Sequence, residues 1–200
     1  MRRSDTSKWI KKVQGEILNL LSEAPQAGDL TGQLPRVHAL LQTRLRELKQ
    51  GKVPLADLLV SQKLSRPLEE YKVPSPAARA AAQLAGIGKH LTPGQRVRFL
   101  FMRGDPGVFA WDLAEKPEAG SIDIDRYAEL LCRAAYTLLQ PLGVKEQTLR
   151  WWMFTNAGYG APPGFLPAVC SQETPLLEDC AWPLRDIEPV LSSCSKSFSD

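Results

Sequence analysis

The stretch from Asp125 to Gln140 carries an apolar stripe that limits what the chain can fold into. Its apolar members recur every three or four residues and are Tyr127, Leu130, Leu131, Ala134 and Leu138. This spacing places them on one face of an α-helix, which Pro141 and Gly143 then end. Either Asp123 or Asp125 suits the N-cap, because a carboxylate accepts hydrogen bonds from the free N–H groups of a first turn. The stripe therefore predicts a helix that other elements have to cover.

The same spacing recurs twice near the N-terminus. The first stretch covers residues 6–22, and its stripe is Ile10, Val13, Ile17, Leu20 and Leu21. The second covers residues 35–50, and its stripe is Val37, Leu40, Leu41, Leu45 and Leu48. Pro35 suits a first turn and Gly51 follows the last. A shorter helix is expected over Lys145–Phe154. The cations off the second stripe, which include Arg36 and Arg44, are more typical of a solvated face than of a phosphate-binding one.

Shorter elements are expected in the middle of the chain. They are a strand at Leu58–Ser61, a helical turn over Leu68–Tyr71, a helix at Pro76–Leu84 and strands at Arg96–Arg103 and Val108–Trp111. Ser75 suits the N-cap of the Pro76–Leu84 helix, with proline at its first position. Gly104 to Gly107 form a turn that joins the last two strands as a hairpin. In that hairpin Val97, Phe99 and Phe101 are expected on the opposite face from Arg96, Arg98 and Leu100.

These elements predict a mainly α fold with a small β component (α+β), in one domain over residues 1–155. Residues 156–200 are rich in Gly, Pro and Ser, with scattered aromatics such as Trp182. We expect them to form a poorly ordered C-terminal tail that docks locally through its aromatic side chains.

Charge is distributed unevenly along the chain. Residues 1–100 hold 17 Lys and Arg against 8 Asp and Glu, a net +9, whereas residues 101–200 hold 8 against 14, a net −6. This asymmetry suggests a face that binds a polyanion. No apolar run reaches the roughly 20 residues that span a bilayer, and no apolar stretch follows the basic N-terminus as in a signal peptide. The expected location is therefore cytoplasmic, without a membrane partner.

The sequence contains no evident catalytic constellation. Asp123 and Asp125 would share a face on a strand and hold metal ions there, but their place before a strong helix favours the N-cap interpretation. His38 and His90 have no evident nucleophile partner. Cys132 lies within the helical stripe and suits the core, whereas Cys170, Cys180 and Cys194 are expected to be free thiols. We predict no catalytic residue, no metal and no cofactor.

A binding surface is the stronger expectation. Cations and hydroxyls alternate around a turn and a helix start, at Lys63, Ser65, Arg66, Tyr71, Lys72, Ser75 and Arg79. Such groups, together with the N–H groups of a helix N-terminus, bind phosphate oxygens. The alternative is an ordinary surface on which Arg66 and Lys72 pair with Glu69 and Glu70. Residue chemistry alone does not decide between the two.

The order of residues adds a resemblance. LLVSQKLSRPLEEYKVPSPAARAAAQLA is similar to the start of the thumb domain of family B DNA polymerases, where a K-x-[LIV]-[ST]-[KR]-x-[LP]-x-x-Y segment precedes a helix. KHLTPGQRVRFLFM resembles the following strand of that domain, and SIDIDRYAELLCRAAYTLLQPLGV resembles its later helix. The three motifs stand in the right order over about Lys8–Leu149. Ala77 replaces the usual His of the first helix, and Ala128 replaces the second Tyr of the later one.

The resemblance implies a function. A thumb domain grips the backbone of the primer–template duplex on its minor-groove side, so the seven residues above would contact phosphates, with Arg66, Tyr71 and Lys72 matching the motif best. The D-x-x-S-L-Y-P and Y-x-D-T-D motifs that carry the polymerase carboxylates do not occur in the 200 residues. We therefore expect a module that binds double-stranded DNA in replication or repair, associated with the nucleoid, with a palm supplied by a separate subunit.

Two alternatives accompany this hypothesis. One is a protein-interaction or structural subunit that docks through aromatic side chains of its C-terminal part, namely Trp151, Trp152, Phe154, Phe165 and Trp182. The other is the remnant of an inactivated polymerase gene without retained activity.

Overall fold

The computed structural model describes residues 6–155 and Tyr159. In chain order, its helices and strands are α1 (Lys8–Ser22), α2 (Leu34–Lys49), α3 (Leu55–Leu58), β1 (Val60–Lys63), α4 (Pro76–Gly86), β2 (Arg96–Phe101), β3 (Val108–Ala110), α5 (Ile124–Leu139) and α6 (Glu146–Phe154). Turns of 3-10 helix lie at Ala27–Gln33, Leu68–Glu70, Ala119–Ser121 and Gln140–Leu142. The predicted class, mainly α with a small β component, is confirmed.

The helices α1, α2, α5 and α6 pack together around the larger part of the core. α1 contacts α2 and α5, and α6 contacts the same two helices. Most of the predicted apolar stripes of α1 and α2 are buried, with Leu20 and Leu40 partly exposed. On α5 the buried face differs from the predicted stripe, because Ala135 and Leu139 are buried while Leu130, Ala134 and Leu138 are partly buried against the core. Arg44 on α2 bonds Glu16 on α1 at 2.8 Å and Glu47 on its own helix at 2.7 Å. Its cation is therefore held by carboxylates between two helices.

The strands form an antiparallel sheet in the order β1-β2-β3. α4 packs against β2 and β3, and its alanines permit a close approach. Gln83 of α4 donates to the carbonyl of Val108 and accepts from the N–H of Ala110, both at 2.8 Å. The side-chain amide thus satisfies backbone groups that the edge strand β3 would otherwise leave unpaired.

Tyr127 of α5 connects the helices to the sheet. Its hydroxyl accepts a 3.1 Å hydrogen bond from the Phe101 N–H, and the two rings meet edge to face with centroids 5.7 Å apart. The side chain is fully buried, and this burial raises the pKa of the phenol. Tyr127 therefore fixes the end of β2 against α5.

The predicted position of the first strand is wrong. Leu58 ends the short helix α3, because Pro54 accepts a 2.9 Å bond from the Asp57 N–H and starts a helical turn there. The strand consequently lies two residues later than expected, at Val60–Lys63. Leu100 lies on the opposite face of β2 from Phe99, as expected, and both side chains are buried, so both faces of the sheet are covered at that end of β2.

The carboxylate of Asp123 caps α5. It accepts a 2.9 Å hydrogen bond from the Arg126 N–H. Of the two candidates for this N-cap, Asp123 and Asp125, the structure therefore selects Asp123. Cys132 is buried in the core, and burial raises the pKa of its thiol to about 11.

Trp152 belongs to the core, which corrects its place in the predicted docking segment. It is 3% exposed on α6, because α6 turns that face toward α2. Of the expected tail, Tyr159 contacts His38 and Trp152, with ring centroids 5.8 and 5.1 Å away. The other residues of 156–200, including Phe165, Trp182 and the remaining cysteines, lie outside the described residues. Within the described part of the chain, no helix is long and apolar enough to cross a bilayer.

Candidate nucleic-acid interface

The segment that follows β1 folds over the first half of α4. Leu64 packs with Ala78 and Ala81 in a small second core, and Leu68 and Tyr71 cover it. A turn of 3-10 helix at Leu68–Glu70 reverses the chain after Pro67, so the predicted helical turn is confirmed. The apolar side chains of this segment point to α4, and its polar side chains are left on the outside.

Ser65, Arg66 and Tyr71 form one cluster on that outer side. The Tyr71 hydroxyl accepts a 3.2 Å bond from the Ser65 N–H and lies 3.0 Å from the Ser65 hydroxyl. The guanidinium carbon of Arg66 stands 5.5 Å from the centre of the Tyr71 ring. The side-chain hydrogen bond with Ser65 lowers the pKa of Tyr71. These contacts hold a cation and two hydroxyls together at the surface.

The cations of this segment do not pair with its glutamates. Lys63, Arg66 and Lys72 are exposed, and among residues 6–155 the ion pairs within 4.0 Å are formed by Arg36, Arg44, Arg98 and Arg150. The alternative in which Arg66 and Lys72 bond Glu69 and Glu70 is therefore absent from the described structure.

Ser75 and Arg79 are engaged in holding the segment. The Ser75 hydroxyl accepts a 3.2 Å bond from the Ala78 N–H and caps α4, as predicted. Arg79 donates through Nε to the Pro74 carbonyl at 3.2 Å and through Nη1 to the Pro106 carbonyl at 3.0 Å. These two side chains tie the start of α4 to the preceding loop and to the β2–β3 turn.

The fold brings in one cation that the sequence argument missed. Arg96 of β2 lies directly opposite Lys63 of β1 in the antiparallel register. The two residues are far apart along the chain, so the pairing of the strands had to be known before they could be placed together. In the sequence, the alternation of Arg96 and Arg98 with apolar residues indicates only that both arginines lie on the outer face of the hairpin. It does not indicate that Arg96 lies beside Lys63.

The cluster offers cationic and hydroxyl donors, and within the described residues Arg66 has no carboxylate within 4.0 Å. Such donors are the chemistry that binds phosphate oxygens. The described residues contain no group of three or more His, Cys, Asp or Glu side chains arranged to hold a metal ion, and the Asp123 carboxylate is engaged as a helix cap.

Comparison with known proteins points to one family. The sequence model of DNA polymerase family B matches residues 1–142. The chain is 25% identical over 163 residues to a DNA polymerase of Pyrococcus glycovorans, which covers 80% of the chain and 20% of that polymerase. It is 26% identical over 144 residues to DNA polymerase 1 of Sulfolobus acidocaldarius, which covers 72% of the chain and 16% of that polymerase.

A solved structure agrees with these relatives. The family B DNA polymerase of Pyrobaculum calidifontis superposes with a TM-score of 0.58 at 25% identity, over 70% of this chain and 18% of that one. The chain thus spans about a fifth or less of the length of these polymerases.

Proposed function

The chain belongs to DNA polymerase family B, and from that premise we propose that it is a thumb module that binds the backbone of duplex DNA without reading its sequence. The contacts are assigned to Lys63, Ser65, Arg66, Tyr71 and Lys72, with Ser75 and Arg79 holding the surface in shape. The duplex is the primer–template of replication or repair. The polymerase carboxylate motifs do not occur in these 200 residues, so the proposal concerns binding and not nucleotide transfer.

One observation carries the proposal. Arg66 is stacked on Tyr71 and Tyr71 is bonded to Ser65, while none of the three meets a carboxylate within ion-pair or hydrogen-bond distance in the described residues. Arg44 and Arg150, by contrast, bond glutamates where helices meet. A cation that the protein orders but does not neutralise is suited to an anion from outside.

The alternative of a docking subunit is less well supported, because Trp152 is part of the core. The remnant hypothesis predicts no binding and is therefore decided by the experiment that follows.

Fluorescence anisotropy with a labelled duplex of mixed sequence tests the proposal. The dissociation constant is measured from about 50 to about 200 mM salt, since each phosphate contact contributes about 0.9 to the slope of log K against log salt. The variant with both Arg66→Ala and Lys72→Ala is expected to bind more weakly. Its slope of log K against log salt should be smaller by about 1.8, which corresponds to two phosphate contacts. The matched control is Lys11→Ala with Lys12→Ala, which removes two exposed cations of α1 and is expected to leave the slope near that of the unmodified protein. Absence of binding at low salt, or equal losses in the two double variants, would refute the proposal.

A further inference from the structure

We propose that Arg96, which lies beside Lys63 on the open face of the sheet, adds a second phosphate-binding position to the contacts above, and that it takes a backbone phosphate of the same duplex. The proposal rests on the duplex-binding function above and extends its surface from the segment after β1 onto the sheet itself.

The register of the sheet sets the two cations side by side. Lys63 of β1 and Arg96 of β2 are direct partners, so both side chains leave the same face, opposite that of the buried Val97. The Leu64 N–H donates to the Gln95 carbonyl at 2.9 Å. In an antiparallel ladder the neighbouring pair, Lys63 and Arg96, is then a non-hydrogen-bonded pair. At such positions the side chains of opposed residues come closest.

Two like charges opposed in this way destabilise a sheet. Within the described residues, no ion pair holds either cation of this pair. The Arg96 guanidinium reaches only the carbonyl and hydroxyl of Ser61, at 3.4 and 3.5 Å, and neither cation lies within 4.0 Å of a carboxylate. A phosphate placed between the two cations would relieve their repulsion and satisfy both.

Arg98, two residues after Arg96 on β2, differs from Arg96 in having a carboxylate partner. Arg98 leaves the same face and forms a salt bridge with Asp112, so its charge is balanced within the protein. Arg96 and Arg98 therefore have the same residue type, strand and face but different partners, and they supply a matched pair of variants.

The position is continuous with the cluster formed by Ser65, Arg66 and Tyr71. Leu64 alone separates Lys63 from Ser65, and the Gly94 N–H donates to the Leu64 carbonyl at 2.8 Å. Gly94 has a φ of +89°, a conformation open to glycine at little cost. This turn precedes β2 and lets it pair with β1, so that Arg96 lies beside Lys63 at the C-terminal end of β1.

The test uses opposite effects on folding and on binding. Arg96→Gln removes the repulsion, so its urea midpoint without DNA is expected to equal or exceed that of the unmodified protein. Its affinity for the labelled duplex is expected to fall about fivefold at about 100 mM salt, with a loss of about 0.9 in the salt slope. Arg98→Gln breaks a salt bridge, so it is expected to lower the urea midpoint and to change the salt slope less.

The outcomes separate this inference from the proposed function. If the unmodified protein does not bind the duplex, the proposed function fails. If it binds, and the Arg66→Ala and Lys72→Ala variant binds weakly while Arg96→Gln binds normally, only the second position is refuted. A lowered urea midpoint for Arg96→Gln, or equal losses of slope for Arg96→Gln and Arg98→Gln, would also overturn it.

Discussion

The carboxamide of Gln83 takes the place of a further strand at the free edge of β3. It bonds both the Val108 carbonyl and the Ala110 N–H, and an unmet buried backbone group costs about 1 to 3 kcal/mol. We expect Gln83→Leu to lower the free energy of unfolding by about 1 to 3 kcal/mol in urea denaturation. The control is Gln147→Leu at an exposed position of α6, where a change of about 0.5 kcal/mol or less is expected. Similar losses at both positions would contradict the edge-capping role.

His38 is the buried histidine of the described residues, and it should make stability depend on pH. It lies against Trp152, with ring centroids 5.6 Å apart, and its Nε2 has no hydrogen-bond partner in the described structure. Burial lowers the pKa of the folded imidazole from 6.5. The unfolded chain therefore binds the proton more readily, and the stability present above pH 6.5 is lost as the pH falls through the lowered pKa.

We expect urea midpoints to fall between about pH 7.5 and about pH 5.5, and to fall less in His38→Phe, which keeps an aromatic ring but does not titrate. His90→Gln alters an exposed loop histidine and should retain the full pH dependence. If His38→Phe and the unmodified protein lose the same stability over this interval, His38 is not the group responsible.

The N-terminus of α5 depends on one side chain. Asp123 accepts the Arg126 N–H at 2.9 Å, and replacing such a cap by alanine costs about 0.5 to 2 kcal/mol. Asp123→Ala is expected to lose about 1 kcal/mol of unfolding free energy in urea denaturation, and Asp123→Ser to recover most of it. Asp125→Ala removes an exposed first-turn carboxylate and should cost less, about 0.3 to 1 kcal/mol. A larger loss for Asp125→Ala than for Asp123→Ala would mean that the cap is assigned to the wrong residue.

The elements differ in how well the sequence predicted them, for physical reasons. The helices α1, α2 and α5 carry local periodicity, and the caps Ser75 and Asp123 are signals that act within one turn. The strand β1 has four residues, too few for a pattern, and the helical turn started by Pro54 displaced it. The pairing of Lys63 with Arg96 arises from contacts between distant strands, so no local pattern could predict that part of the candidate surface.

At the scale of the whole molecule, α6 lies beyond the match to the family, which ends at residue 142. It nevertheless belongs to the same core. Leu149, Trp152 and Met153 are buried, α6 contacts both α2 and α5, and Arg150 bonds Glu129 of α5 at 2.6 Å. The helices α2 and α5 would otherwise expose part of their apolar faces where α6 lies. The surface proposed to bind DNA is on the segment after β1 and on the sheet, so α6 can be altered without changing its residues.

Trp152→Ala tests whether α6 is a structural part of this core. Replacing a buried tryptophan by alanine costs about 3 to 5 kcal/mol, so we expect a loss of that size in urea denaturation. Phe154 lies on the same helix but is 44% exposed, and Phe154→Ala should cost less than about 1 kcal/mol. The duplex affinity of any Trp152→Ala protein that remains folded should be unchanged, because its proposed contacts are elsewhere. Equal and small losses for the two variants would show instead that α6 is a peripheral docking segment, as the aromatic side chains alone had suggested.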